Sequence, residues 1–137
     1  MLEEARIRQL IESARPLLVL GLCADWCGTC RDYRPGFESL AERFPDCDFV
    51  WADIEDDAHW VGQYDVEDFP TVLIQHGEVV LSYGVLLPHV SHLERLIQSL
   101  QGMSESERAA WVASPEHAAW QKDCNWRGQI RAMVNAE

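Results

Sequence analysis

Apolar positions along the chain follow two periods. Leu2, Ile7, Leu10 and Ile11 recur among charges at helical spacing and predict an amphipathic helix over residues 2–14, ended by Arg15-Pro16. Residues 17–23, Leu-Leu-Val-Leu-Gly-Leu-Cys, form an unbroken apolar run between turn signals, the pattern of a strand buried on both faces. From Gly28 to about Phe44 the apolar residues Tyr33, Phe37, Leu40, Ala41 and Phe44 share one helical stripe. Pro35 interrupts that helix, where its ring removes an internal hydrogen bond and should kink it. Residues 47–54 read as a second strand, followed by Glu55-Asp56-Asp57 and a short helix over 58–64, whose start favours acids through the helix dipole. The runs 71–74 and 79–83 flank Gln75-His76-Gly77-Glu78 as a hairpin, and Pro88 opens a helix burying Val90, Leu93, Leu96, Ile97 and Leu100.

This order of elements predicts an α/β fold with a mixed central sheet and helices on both faces. The pattern changes after Gly102. Ser104-Glu105-Ser106-Glu107 fits a capping box, and Ser114-Pro115-Glu116 an N-cap with proline at the first helical position. Helices are expected over 105–113 and 115–135, with Gly128 the candidate break in the second. The chain therefore divides into a domain over 1–101 and a C-terminal helical extension over 102–137.

Charge sharpens that division. The formal net charge is −12, and almost all of it lies in the first 100 residues. Such acidity opposes phosphate binding, so no nucleic-acid partner is expected. The N-terminus carries acids where a secretory signal would carry bases, and the apolar run to Ala24 is too short to span a bilayer. A soluble, cytoplasmic protein without a membrane partner is expected. Five cysteines, an odd number, suit a reducing compartment with one functional pair better than a secreted disulfide framework.

That pair is Cys27-Gly28-Thr29-Cys30, between the first strand and the second helix. A sulfur at a helix N-terminus meets unsatisfied N–H groups and the positive end of the dipole, which favour the thiolate, the nucleophilic form. A second thiol one turn inside lies on the same side and can resolve a mixed disulfide. No cofactor is required for that chemistry, and none is expected.

Trp26-Cys27-Gly28-Thr29-Cys30, Pro35 eight residues after Cys27, Phe69-Pro70-Thr71 ahead of the hairpin and Gly84 after the last strand together resemble the thioredoxin family over residues 1–100. The resemblance implies a thioredoxin fold and thiol–disulfide oxidoreductase activity on disulfide-containing protein substrates, with a further redox partner. It makes Cys27 the attacking thiol and Cys30 the buried resolving thiol. It places Trp26, Gly28, Thr29, Phe69, Pro70 and Gly84 on the substrate side, with Pro70 in a cis peptide that brings its backbone beside the sulfur.

The chain also departs from the family. Gly21 and Trp51 stand where the resemblance would place a buried aspartate and a lysine that help move the proton of the resolving thiol. Losing both avoids an unpaired buried charge. Water or Asp25 could then carry the proton. Thr29 replaces the proline most familiar between the cysteines, restoring an N–H and offering a hydroxyl.

Cys23, Cys27 and Cys30 also make Cys-x3-Cys-x2-Cys, the spacing with which radical enzymes hold an iron–sulfur cluster. That use needs a large barrel and three thiols on one loop, whereas Cys23 lies in a strand of a short chain. Cys23 is therefore expected to be a buried, inert thiol, Cys47 a core or strand-edge residue, and Cys124 a packing residue or an auxiliary thiol. No metal site is expected, since His59, His76, His89, His92 and His117 are scattered. Trp111, Trp120 and Trp126 would pack the extension or form a dimer contact. The competing function is a thioredoxin-fold binding module that recognises a partner through this tail.

Overall fold

The computed structural model describes residues 1–136. Its elements run α1 (Glu4–Glu12), β1 (Leu17–Cys23), α2 (Gly28–Arg43), β2 (Cys47–Asp53), α3 (Ala58–Val61), β3 (Thr71–His76), β4 (Val79–Val85), α4 (Val90–Gln101), α5 (Glu105–Ala113), α6 (Pro115–Asp123) and α7 (Trp126–Asn135). The strands form one mixed sheet in the order β2-β1-β3-β4. The β1–β2 pair is parallel, while β1–β3 and β3–β4 are antiparallel.

Strand β1 lies inside the sheet and is buried along its whole length. Because side chains alternate across a strand, its residues serve two cores. Leu17 and Val19 pack with Tyr33, Phe37 and Leu40 of α2 and with Leu93, Ile97 and Leu100 of α4. Leu18, Leu20 and Leu22 pack on the opposite face with Ile7 and Leu10 of α1 and with Trp126, Ile130 and Val134 of α7. The C-terminal helix is therefore part of the main core, and Trp126 is fully buried with its indole N–H donating to the Trp60 carbonyl at 2.9 Å.

Arg127 fixes α7 against the ends of three strands. It is 5% exposed and lies 3.2 Å from the buried carboxylate of Asp48. It also donates to the carbonyls of Arg15 (3.0 Å) and Pro16 (2.9 Å), and to that of Gly77 (3.4 Å) in the β3–β4 turn. Arg15 approaches the other Asp48 oxygen at 3.3 Å. Helices α5 and α6 cover the free edge of β4. The Gln121 amide accepts from the Val80 N–H (2.8 Å) and donates to its carbonyl (2.7 Å), and the Trp111 indole donates to the Leu81 carbonyl (2.8 Å). Side chains thus take the place of a further strand at an edge that would otherwise offer unpaired backbone groups.

Several boundaries differ from expectation for local reasons. The predicted helix over 115–135 divides at Cys124-Asn125, because the Asn125 side chain accepts the Gly128 N–H at 3.1 Å and starts a new helix there. Gly128 lies inside α7, where a Cβ would stand 2.5 Å from Asn125 Nδ2 and 2.8 Å from Glu78 Oε1. The hairpin is tighter than expected. Gln75 and His76 stay in β3 and the chain turns at Gly77, whose φ of +60° suits glycine. Helix α3 is a single turn ending at Val61, and α4 begins at Val90 with His89 as N-cap.

Arg127→Ala leaves Asp48 buried with Arg15 as its one remaining ion-pair partner among the described residues. It is expected to cost about 3 kcal/mol, the lower end for breaking a buried ion pair, measured as a lower urea midpoint at unchanged slope.

Candidate active site

Three loops meet at the end of the sheet where β1 and β2 finish and β3 begins, the end at which α/β sheets commonly bind ligands. The first runs from Ala24 to Cys27. The Cys27 N–H donates to the Ala24 carbonyl at 3.0 Å, and the Cys27 carbonyl accepts the first helical bond from Arg31 at 3.1 Å. Cys27 is thereby the N-cap of α2, with extended backbone angles and a partly exposed side chain. Cys30 follows at the third helical position, 1% exposed. Gly28 and Thr29 lie between them on the exposed surface of the first turn.

The second loop, after β2, is tied to the first by Asp53. Its carboxylate accepts the N–H groups of Asp25 (2.6 Å), Glu55 (2.8 Å) and Asp56 (2.8 Å). The Asp57 carboxylate in turn accepts the Asp53 N–H at 2.9 Å. Burial pushes the Asp53 carboxyl up, but the N–H groups of Asp56, Glu55 and Asp25 outweigh it and hold the group below the usual carboxylate range. The charge so fixed raises Asp25, which is exposed beside it, with desolvation and then Asp56 acting in the same direction.

The third loop carries Phe69 and Pro70, joined by a cis peptide bond. Trp26 bridges all three loops. Its ring meets Phe69 edge-on at 5.6 Å, and its indole N–H donates to Glu55 Oε1 at 2.9 Å. Beside Phe69-Pro70, Asp65, Glu67 and Asp68 line a groove of about 350 Å³ with Thr71, Tyr83 and Gly84. Gly84 lies opposite Val72 in the β3–β4 pair.

Behind the cysteines the sheet is aromatic. Gly21 pairs with Trp51 in register, and a Cβ on Gly21 would stand 3.2 Å from Phe37 and 3.4 Å from Trp51. The Phe37 and Trp51 rings meet at 5.3 Å, and Tyr33 stacks on Trp51 at 6.4 Å. The space at this register is thus filled by rings. Burial raises the Tyr33 phenol to about 12, and its hydroxyl has no hydrogen-bond partner among the described residues.

One expectation is overturned. Cys23 is not an inert thiol: it is disulfide-bonded to Cys30, with Cα atoms 5.8 Å apart, and Cys27 is free. Strand parity explains the reach. Cys23 falls on the same side of β1 as Leu17, Val19 and Gly21, the side that α2 covers. That parity was legible in the run 17–23 and is the signal that could have found the bond. Cys47 is buried, and its sulfur accepts from the Gln101 amide at 3.3 Å. Cys124 is buried in the other core beside Trp126, and burial pushes its thiol up to about 11, which leaves it protonated at neutral pH.

A thiol at a helix N-cap, a buried disulfide beneath it and a cis X-Pro bond on the adjoining loop of a mixed, helix-covered sheet define a thioredoxin-fold cysteine protein. The chain belongs to the thioredoxin family: the family model "Thioredoxin" matches residues 1–98. It is 31% identical over 110 residues to the H-type thioredoxin of Picea mariana, covering 80% of this chain and 86% of that protein. It is 34% identical over 71 residues to thioredoxin H2 of Arabidopsis thaliana, of which it spans only 53%. The crystal structure of thioredoxin from Trypanosoma brucei brucei superimposes with a TM-score of 0.62 at 21% identity, over 75% of this chain and 89% of that one, a likeness of fold.

Replacing Asp25 by Asn removes a like charge beside Asp53. Because the fold raises the Asp25 carboxyl, its ionised form costs stability above the ordinary aspartate range and costs nothing once pH falls below it. Asp25→Asn is therefore expected to unfold at a higher temperature than wild type at pH 7, with the difference disappearing by about pH 3.

Proposed function

We propose that this protein exchanges disulfides with protein substrates, Cys27 attacking and Cys30 resolving. The observation that carries the reading is the free, partly exposed Cys27 at the N-cap of α2, with the disulfide-forming sulfur of Cys30 one turn below it. Family membership supports the same chemistry. The first curated relatives are matched over only about half their length, so the activity is a proposal for this chain.

The parts would act as follows. Once the Cys23–Cys30 bond has been reduced, Cys27 attacks one sulfur of a substrate disulfide and releases the other as a thiol. Cys30 then attacks Cys27 Sγ, closes a Cys27–Cys30 bond and frees the second substrate thiol. The Phe69-Pro70 backbone would hold an extended substrate segment alongside the sulfur, bounded by Trp26 on one side and the Gly84 edge on the other, with Gly28 and Thr29 leaving the approach open. Asp65, Glu67 and Asp68 line that approach and favour basic substrates over acidic ones. Among the described residues no helix is long and apolar enough to cross a membrane, and a reducing, cytoplasmic setting suits the free Cys27 and Cys47.

Insulin reduction driven by dithiothreitol tests the activity. Wild type is expected to accelerate it, and Cys27→Ser to fall to the rate of dithiothreitol alone; an inactive wild type would refute the reading. For a basic disulfide protein the rate is expected to drop as salt is raised from about 0.01 to 1 M, as the Debye length shrinks from roughly 30 to 3 Å. A rate that ignores salt would remove the acidic rim from the account.

A further inference from the structure

Building on that dithiol chemistry, we propose that Cys23 is a third redox thiol of the site. It takes over the oxidised bond from Cys27, so that the oxidised protein rests as Cys23–Cys30 with Cys27 free.

The geometry makes Cys30 a sulfur with two partners. Cys27 and Cys30 occupy the N-cap and third positions of α2, three residues apart and so neighbours at the helix start. Cys23 reaches Cys30 from the other flank, at the end of β1 on the α2 side of the sheet, and is bonded to it. The two partners differ in exposure. Cys23 and Cys30 are each 1% exposed, whereas Cys27 opens to solvent beside the exposed Trp26. The bond that forms is therefore the inaccessible one, and the thiol that remains is the accessible one.

The transfer needs no further oxidant. After a substrate disulfide is reduced, the site holds a Cys27–Cys30 bond and the Cys23 thiol. Cys23 gives up its proton and attacks Cys30 Sγ; the Cys23–Cys30 bond forms, the Cys27–Cys30 bond breaks, and Cys27 leaves as a thiolate that takes up a proton. One disulfide replaces another and the two-electron count is unchanged.

The consequence is a second mode of action at the same surface. In the oxidised form Cys27 can still open a substrate disulfide, but Cys30 is occupied and cannot resolve the mixed disulfide. Release then depends on a thiol of the substrate or a small external thiol. The first route returns the substrate with rearranged disulfides rather than reduced ones. Full reduction resumes only after a dithiol reductant opens the buried bond.

The test is to map the bond. The reduced full-length protein is treated with one equivalent of diamide and alkylated under native conditions. It is then unfolded in acid, alkylated with a second reagent of different mass, and cleaved on the N-terminal side of Asp25, which separates Cys23 from Cys27 and Cys30. The expected product is a Cys23 peptide linked to a Cys30 peptide in which Cys27 carries the first label. In Cys23→Ala treated in the same way, Cys27 is expected to close on Cys30, and its native alkylation to slow by roughly tenfold or more against oxidised wild type. Equal alkylation of Cys27 in the two reduced proteins shows that the variant has kept its site. A Cys27–Cys30 bond with Cys23 unlinked in wild type would overturn this proposal and leave disulfide exchange standing. No bond among the three cysteines would overturn both.

Discussion

Strand β1 is buried on both faces, and its two-residue period distributes nearly everything else. One set of side chains must satisfy α2 and α4, the other α1 and α7. A shift of register by one residue would exchange the two sets, which is why such a strand leaves little freedom in what packs around it. Parity also governs the neighbouring strands. In β2, Phe49 and Trp51 turn toward α2, while Asp48 turns toward α7 and meets Arg127. The buried ion pair and the aromatic wall behind the cysteines are thus two sides of one strand.

At the end of the sheet that order has to be converted into three loops held at fixed separation. Hydrophobic packing cannot do it, because these loops are short and exposed. Asp53 ties two of them with hydrogen bonds: one carboxylate accepts the Asp25 N–H of the cysteine loop and the Glu55 and Asp56 N–H groups of the loop after β2. Charge-assisted bonds to backbone donors are among the stronger hydrogen bonds available. They also compensate the burial of the charge, which explains a lowered carboxyl in a buried position. The cost appears next door, as the raised carboxyl of Asp25. Trp26 completes the arrangement by touching Glu55 on one loop and Phe69 on another.

Much of this was legible in the residues. The limits of β1 followed from an apolar run between turn signals, and the start of α2 from the cysteine spacing, because local chemistry alone decides both. Phe69-Pro70 was placed at the site by the thioredoxin resemblance, as the pair ahead of the hairpin. What escaped depended on partners far away in sequence. Gly128 was the candidate break in the tail, yet it lies within α7 beside the Asn125 and Glu78 side chains, and the break falls where Asn125 can cap the next helix. Asp53 looked like one acid among several, since nothing local marks a carboxylate that will collect three distant or neighbouring N–H groups. For Cys23, a place in a strand says nothing by itself; the side of β1 that it shares with Val19 and Gly21 is what brings it to Cys30.

That side matters because of what surrounds Cys30. An ionised sulfur is costly in apolar surroundings unless a donor or a positive charge compensates it, and a buried carboxylate–lysine pair is one way to manage the proton. Here the sheet behind α2 carries rings, and Gly21 is needed so that Phe37 and Trp51 can approach. A carboxylate at residue 21 would be driven toward those rings, so packing opposes that solution here. A disulfide is neutral and needs no such partner. With Cys23 on the α2 side of β1, the inner sulfur is held uncharged by a bond in the oxidised state, while Cys27 stays free at the open end of the helix.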